Sequence, residues 1–397
     1  MSVFIAGVGV ISAIGNNTAE CLLSFENGKA GMDEMKYLPS VHRKELPVAE
    51  VKLSNEELGT LSGLSPALSR TALLSMIAAK EALDNAAIEN LGQFRTGFIS
   101  ANTLGGMDKT ENFFKDFLIH QQRGKLRDVI HHECGSVTEL VADRLGIRHY
   151  TTTISTACSS SANSIIFAAK LIKYGILDVA IAGGTDALAR FTLNGFHTLM
   201  ILDKDFCRPF DENRRGLNLG EGAGYIVLVS ERVAESLGTC LYGRLSGYHN
   251  ANDAFHQTAS SPDGRGSFLA MKGALEKSGI QPSAISYINL HGTGTQNNDV
   301  SEGLAIKQLF EPRFPKMSST KSFTGHSLGA SGGMEAVFSA LSVKHGIIYP
   351  NLRFSEQMKE LPFAPETAFS KNEPVSHVLS NSFGFGGNCT SLIFSKL

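Results

Sequence analysis

Short runs of β-branched and aromatic residues recur along the chain, each followed by a longer stretch with helical spacing. This alternation constrains the fold more than any other feature. It predicts strands over Val3–Val10, Thr96–Ser100, Thr151–Thr156, Val179–Ala182, Tyr225–Ser230, Ile285–Leu290 and Ser391–Phe394, and helices over Thr71–Ala87, Ala162–Tyr174, Phe268–Ser278 and Met334–His345. The strands are almost continuously apolar. Strands buried on both faces need helices on both sides of their sheet, which puts the chain in the α/β class. Two stretches, about 31–65 and 103–135, are more polar and read as loops.

A weak internal echo adds to this. The segment from Ser161 to Ile176 resembles the segment from Ser331 to Ile347, apart from one extra residue. Each is a small-residue turn followed by a helix whose start is almost uncharged, and an uncharged start is buried. Two such helices suggest two similar halves facing each other, 1–237 and 238–397, with the boundary near Gly238. A chain of 397 residues, 42% hydrophobic, is long enough for such a two-part body.

Charge and cysteines remove several function classes. The net charge is −2, which argues against a nucleic-acid footprint. No apolar run approaches a membrane span. The segment Met1–Ile14 is apolar, but no basic residue precedes it and it carries Gly7 and Gly9, so it reads as a buried strand rather than a signal peptide. A cytoplasmic setting is expected. The six cysteines, at 21, 134, 158, 207, 240 and 389, form no C-x-x-C pair and no disulfide scaffold. His131-His132-Glu133-Cys134 lacks the spacing of a zinc site.

Four segments carry chemistry-bearing residues at element boundaries. In Ile154-Ser-Thr-Ala-Cys158-Ser-Ser-Ser a strand ends, a cysteine sits at the turn and a helix begins. Unpaired N–H groups and the partial positive charge there are expected to lower the thiol pKa and to hold an oxyanion. Taken alone, the segment suits a nucleophile or a small core residue. In Asn289-Leu-His291-Gly-Thr293-Gly-Thr295 a histidine follows a strand, at the end where α/β sheets bind ligands. In Ser318-Ser-Thr-Lys321-Ser-Phe-Thr-Gly-His326, followed by Glu335, a basic group and a carboxylate stand ready to orient a histidine. In Ser380-Asn-Ser-Phe383-Gly-Phe385-Gly-Gly-Asn388-Cys389 the glycines mark sharp turns, and an aromatic there suits a gate or a core plug.

Jointly these segments give Cys, His, His in chain order. With Gly7-Val-Gly-Val-Ile-Ser, Ala182-Gly-Gly-Thr-Asp186, Arg208-Pro-Phe-Asp211 and Leu219-Gly-Glu-Gly-Ala-Gly224, they make the sequence resemble, nearly end to end, the elongating β-ketoacyl-[acyl-carrier-protein] synthases of the thiolase-like superfamily. The resemblance implies a five-layered α-β-α-β-α fold built from two duplicated halves, and a homodimer whose sheets join edge to edge. It implies a decarboxylating Claisen condensation: Cys158 takes an acyl group from acyl carrier protein, and the enolate of malonyl-carrier protein attacks it. Elongating members use Cys-His-His; acyl-CoA-priming members carry Asn for the second His, and degradative thiolases use a second Cys as base.

On the same resemblance, His291 and His326 stabilise the enolate, Lys321 and Glu335 orient them, and the N–H groups of Cys158 and Phe385 hold the acyl oxyanion. Thr293 and Thr295 bind the pantetheine arm, Phe385 is the gate, and Phe383 and Asp108 belong with them to the substrate- and pantetheine-binding site. Arg123, Lys125 and Arg127, with Arg70 near another contact position, are the expected docking residues for the acidic carrier protein. Some members hold a monovalent cation at positions matching Asn289, Glu335, Ser380 and Asn381; no other cofactor is implied beyond the carrier's phosphopantetheine.

The sequence departs from the family in two places. The glycine loop usually continues Gly-Gly-Thr-Asn, whereas here Gly387 is followed by Asn388-Cys389. Asp108 falls where an apolar residue of the acyl pocket is expected. A polar pocket disfavours long saturated chains and suits polyene, aryl or polyketide-like products; fatty-acid elongation stands beside that reading. The competing readings are a chain-length-factor-like binding subunit, which lacks the nucleophile, and a cysteine acyltransferase or hydrolase without decarboxylation.

Overall fold

The computed structural model describes residues 2–238 and 241–397. Cys240 lies outside the described residues, immediately beyond the expected boundary at Gly238.

The described residues form ten strands: β1 (Val3–Ser12), β2 (Thr96–Ala101), β3 (Tyr150–Ile154), β4 (Val179–Asp186), β5 (Gly222–Ser230), β6 (Gly243–Asn252), β7 (Tyr287–Asn289), β8 (Lys316–Ser318), β9 (His377–Phe383) and β10 (Asn388–Ser395). The α-helices are α1 (Thr18–Glu26), α2 (Asn55–Ser62), α3 (Arg70–Ala86), α4 (Met107–Ile119), α5 (Cys134–Arg144), α6 (Ser160–Lys173), α7 (Arg190–Thr198), α8 (Glu231–Leu237), α9 (Arg265–Ser278), α10 (Gln296–Phe310), α11 (Lys321–Thr324) and α12 (Ser331–His345). The stretches read as loops hold α2 and α4. The first is set by a capping box, with Ser54 accepting from the Glu57 N–H and Glu57 accepting in return.

Strand order reveals a repeat. The sheet runs β3-β2-β4-β5-β1-β6-β10-β9-β7-β8. Read inward from either end, each set of five has the same order. In each, the outer pairs (β2 with β3 and β4; β7 with β8 and β9) are parallel and the inner ones antiparallel. Among the described residues, only the short pairing Phe4↔Arg244 and Ile5↔Gly243 joins the two sets.

Helices fill the layers around these sheets. α3 packs on β1 and β5 from one outer side, and α9 packs on β6 and β10 from the other. Between the sheets lie α6 and α12, which touch each other and strands of both sets. This is the five-layered thiolase-like α/β fold. The two echoing segments are the two central helices, and the Gly333 N–H donates to Ser161 Oγ at 2.7 Å where their starts meet. Close approach explains two of the motif glycines: a Cβ on Gly224 would lie 2.4 Å from the Met334 nitrogen, and one on Gly9 2.1 Å from the Ala78 carbonyl oxygen.

Candidate active site

Cys158 sits in the turn between β3 and α6. Ala157 before it takes a left-handed φ of 52°, a sparsely populated conformation for a residue with a Cβ. Ser160 fixes this elbow: its Oγ accepts the Thr156 N–H at 2.7 Å and donates to the Ala157 carbonyl at 2.5 Å. The expected lowering of the thiol pKa does not occur. Burial pushes it up to about 11, outweighing the Phe385 N–H, the Lys321 charge and the N–H of Cys158 itself, all of which favour the thiolate. A helix start supplies about half a charge, too little to offset removal of a thiolate from water. The Cys158 side chain is a neutral thiol.

His291 follows β7 by two residues, and α10 holds its loop. Glu302 accepts the His291 and Gly292 N–H groups, each at 2.9 Å, and Asp299 accepts the Thr293 N–H at 3.1 Å. Both carboxylates escaped the sequence reading. Their signal is Asp299-Val-Ser-Glu302, an i,i+3 pair on one helix face just after a glycine-rich turn.

Lys321 Nζ lies 2.7 Å from the His291 carbonyl and 3.3 Å from its Nδ1, and pairs with Glu335. An ammonium only donates, so His291 Nδ1 accepts and Nε2 carries the proton. The Leu328 N–H donates to His326 Nδ1 at 3.0 Å, so His326 also carries its proton on Nε2. The expected roles of Lys321 and Glu335 are thus narrowed. Lys321 contacts His291, Glu335 contacts Lys321 rather than either ring, and the backbone of Leu328 contacts His326. The two rings are perpendicular, at 89°, with centroids 5.5 Å apart. Both are neutral: burial, then Lys321 and His326, hold His291 well below its usual value, and burial with Lys321 takes His326 down to about 3. Burial raises Glu335 to about 7 against the pull of Lys321.

Cys158, His291 and His326 line one cavity of about 490 Å³ with Thr293, Thr295, Phe383, Phe385 and Cys389. Thr293 Oγ1 and Thr295 Oγ1 are 2.9 Å apart. Phe385 stacks on Phe196 of α7 with centroids 5.6 Å apart, and Phe383 lies 5.9 Å from the His291 ring. Cys389 is buried, and its thiol is pushed up to about 12 by burial and then by Asp253.

Two expected site residues lie elsewhere. Arg70 is no docking residue: it is buried and donates to Glu221 at 2.7 Å, to the Val51 carbonyl at 2.9 Å and to Asn55 at 3.0 Å. Asp108 does not line the Cys158 cavity. It begins α4 and accepts the Arg70 N–H at 3.0 Å, facing a separate polar pocket with Glu111, Arg190 and Glu221. Arg123, Lys125 and Arg127 follow α4 and are exposed. Among the described residues no group of three or more His, Cys, Asp or Glu is arranged to hold a metal, His131–Cys134 included.

The monovalent-cation positions fit an oxygen-bound ion in part. Both polar atoms of the Asn289 side chain, and Glu335 Oε2, are buried without a hydrogen-bond partner among the described residues. Ser380 is the register partner of Asn289. The Asn381 side chain is already committed to Glu302 and Ser391.

Comparison with known proteins agrees with this geometry. Residues 1–234 match the family described as beta-ketoacyl synthase, N-terminal domain, and residues 242–355 match beta-ketoacyl synthase, C-terminal domain. The 3-oxoacyl-[acyl-carrier-protein] synthase 2 of Staphylococcus aureus is 33% identical over 408 aligned residues, spanning 99% of this chain and 98% of the relative. Among solved structures, the ishigamide ketosynthase/chain length factor superposes with a TM-score of 0.95 at 28% identity, over 100% of this chain and 99% of the other. The AntDE:AntF complex, a type II polyketide synthase acyl-carrier protein with its ketosynthase bound to the hexaketide, gives 0.89 at 25% identity, over 100% and 99%. Matched in both its domains and a third identical to a relative along almost its whole length, the chain belongs to the β-ketoacyl synthase family.

Proposed function

We propose that this protein condenses an acyl thioester with malonyl-acyl carrier protein, with loss of CO2, to give 3-oxoacyl-acyl carrier protein, and that Cys158, His291 and His326 carry the reaction. The observation behind this is the single cavity in which a thiol faces two neutral imidazoles, each with its N–H on Nε2. Cys158 attacks the incoming thioester, and the oxyanion rests on the N–H groups of Cys158 and Phe385. The carrier thiol leaves with the proton. Malonyl-carrier protein then loses CO2; the electrons of the broken C–C bond pass into the thioester, and the enolate oxygen is held by the two Nε2–H donors. The enolate carbon attacks the acyl carbonyl, the C–S bond to Cys158 breaks, and the sulfur leaves as a thiolate that takes one proton from water to return to the thiol. Two neutral imidazoles suit this better than charged ones, because they stabilise a developing anion without surrendering a proton to it. Incubation with acyl- and malonyl-carrier protein tests the reading: 3-oxoacyl product and equimolar CO2 are expected, and free acid in place of the condensed product would overturn it.

A monovalent cation held by Asn289, Ser380 and Glu335 would balance buried charge beneath His291. Thr293 and Thr295 are assigned to the pantetheine arm. The Phe385 turn, stacked on Phe196, is assigned as the gate.

An acyl carrier protein is the assigned partner. The exposed residues Arg123, Lys125 and Arg127 are the proposed contacts for its acidic surface. Changing Lys125 and Arg127 together to Glu is expected to raise KM for carrier-bound substrates, on the order of tenfold, and to spare acyl-pantetheine analogues. Equal losses with both substrates would remove the assignment.

A second copy of the chain is the proposed cover for β3. This strand ends the sheet, with its outer edge unpaired and its side chains only partly buried, and Phe114, Leu118, Leu126 and Ile130 are exposed on the segment before it. Light scattering is expected to give a dimer mass; the mass of a single chain would refute the pairing.

A further inference from the structure

Asn388 stands where the family usually has threonine, and its two polar ends reach two different parts of the site. Its backbone carbonyl accepts the Gly384 N–H at 2.9 Å, closing the turn that carries Phe385. Its side-chain oxygen accepts from Asn163 Nδ2 at 2.9 Å and from Asn250 Nδ2 at 2.7 Å, and lies 2.7 Å from Ser159 Oγ, whose one proton it shares with the Thr156 carbonyl at 2.8 Å. Ser159 adjoins Cys158, and the Asn163 N–H donates to the Ser159 carbonyl at 2.9 Å in the first turn of α6. The Phe385 turn lies directly against the nucleophile: a Cβ on Gly384 would sit 3.1 Å from the Cys158 nitrogen. One side chain therefore ties the loop bearing one oxyanion donor to the helix start bearing the other. A threonine hydroxyl also has two lone pairs but sits one bond closer to the backbone, and so lacks this reach.

We propose that Asn388 is a positioning residue that locks the Phe385 turn to the start of α6, and so fixes the spacing of the two N–H groups offered to the acyl oxygen. The proposal rests on the reading of Cys158 as the acylated nucleophile. What it requires of residue 388 is an acceptor of the right reach; the amide protons have no part in it.

Two reactions of the full-length protein separate this role from general damage. Alkylation of Cys158 by iodoacetamide displaces iodide at a saturated carbon and forms no oxyanion. Acylation by an acyl-pantetheine thioester passes through a tetrahedral oxyanion and needs both N–H groups. Asn388→Leu keeps the shape and removes the acceptor; it is expected to slow acylation about 100-fold with little change in alkylation. Asn388→Asp keeps an acceptor of the same reach and is expected to restore acylation. Asn163→Ala, which deletes one donor from the other side, should lower the ratio of acylation to alkylation less, but in the same direction. The proposal is overturned if Leu leaves that ratio unchanged, if both rates fall together, or if Asp fails to restore it. Wild-type protein that alkylates at Cys158 but never acylates would instead remove the reading on which the proposal rests.

Discussion

Cys158→Ala is expected to abolish condensation while leaving CO2 release from malonyl-carrier protein largely intact. The two half-reactions use different groups. Acyl transfer needs the sulfur, and without a nucleophile the rate should fall by roughly 10³-fold or more. On the proposed mechanism decarboxylation needs only the two Nε2–H donors, whose rings contact Lys321 and the Leu328 N–H rather than the thiol. Alanine also removes a buried thiol without adding charge, so the cavity keeps its lining. Trapping of labelled CO2 beside mass spectrometry of the residue-158 peptide makes the measurement. Loss of both half-reactions together would show that the thiol and the imidazoles do not act separately, and the assignment of steps would fail.

The complementary result is expected from His291→Ala and His326→Ala. Each removes one hydrogen-bond donor from the site of developing enolate charge, an effect worth about 10²–10³ in rate. Acyl transfer to Cys158, whose oxyanion rests on backbone N–H groups, should keep a larger share of its rate. The pH dependence follows from the direction of the shifts. A folded-state pKa of about 3 for His326, and one well below the usual histidine value for His291, leave both rings neutral throughout the physiological range. The rings themselves should therefore impose no inflection on CO2 release between about pH 6 and 8, and gain protons only on strong acidification; a change near pH 7 belongs to Glu335 and Glu302, which burial raises to about 7 around Lys321 and the His291 loop. Unchanged CO2 release in both alanine variants would refute the paired-donor role.

Much of this site is legible in the sequence because each group lies at an abrupt change of local pattern. Cys158, His291 and His326 all occupy Gly-, Ser- or Thr-rich turns beside apolar elements, and the echo between Ser161 and Ser331 exposes the two central helices. What escapes is set by distant partners. The sign of the Cys158 shift depends on burial by elements remote in the chain, so local helix electrostatics point the wrong way. Arg70 looks like a surface cation until Glu221, 151 residues away, is placed beside it. Asp108 is drawn to the Arg70 N–H, 38 residues back. Helix α4 has helical apolar spacing at Phe113, Phe114, Phe117 and Leu118, but the charged and polar residues between them make the stretch read as a loop on average composition, and β8 has too few residues for alternation to show.

The repeated strand order has a consequence for the chemistry itself. β3 leads into α6 through Cys158, and its counterpart β8 leads through His326 to α12. Thiol and imidazole thus occupy equivalent stations of two copies of one motif. An assembly of two identical pieces related by a dyad would have to present the same side chain at both stations, twice a sulfur or twice a ring. Divergence of the two fused copies is what lets a pseudosymmetric frame hold a thiol opposite an imidazole.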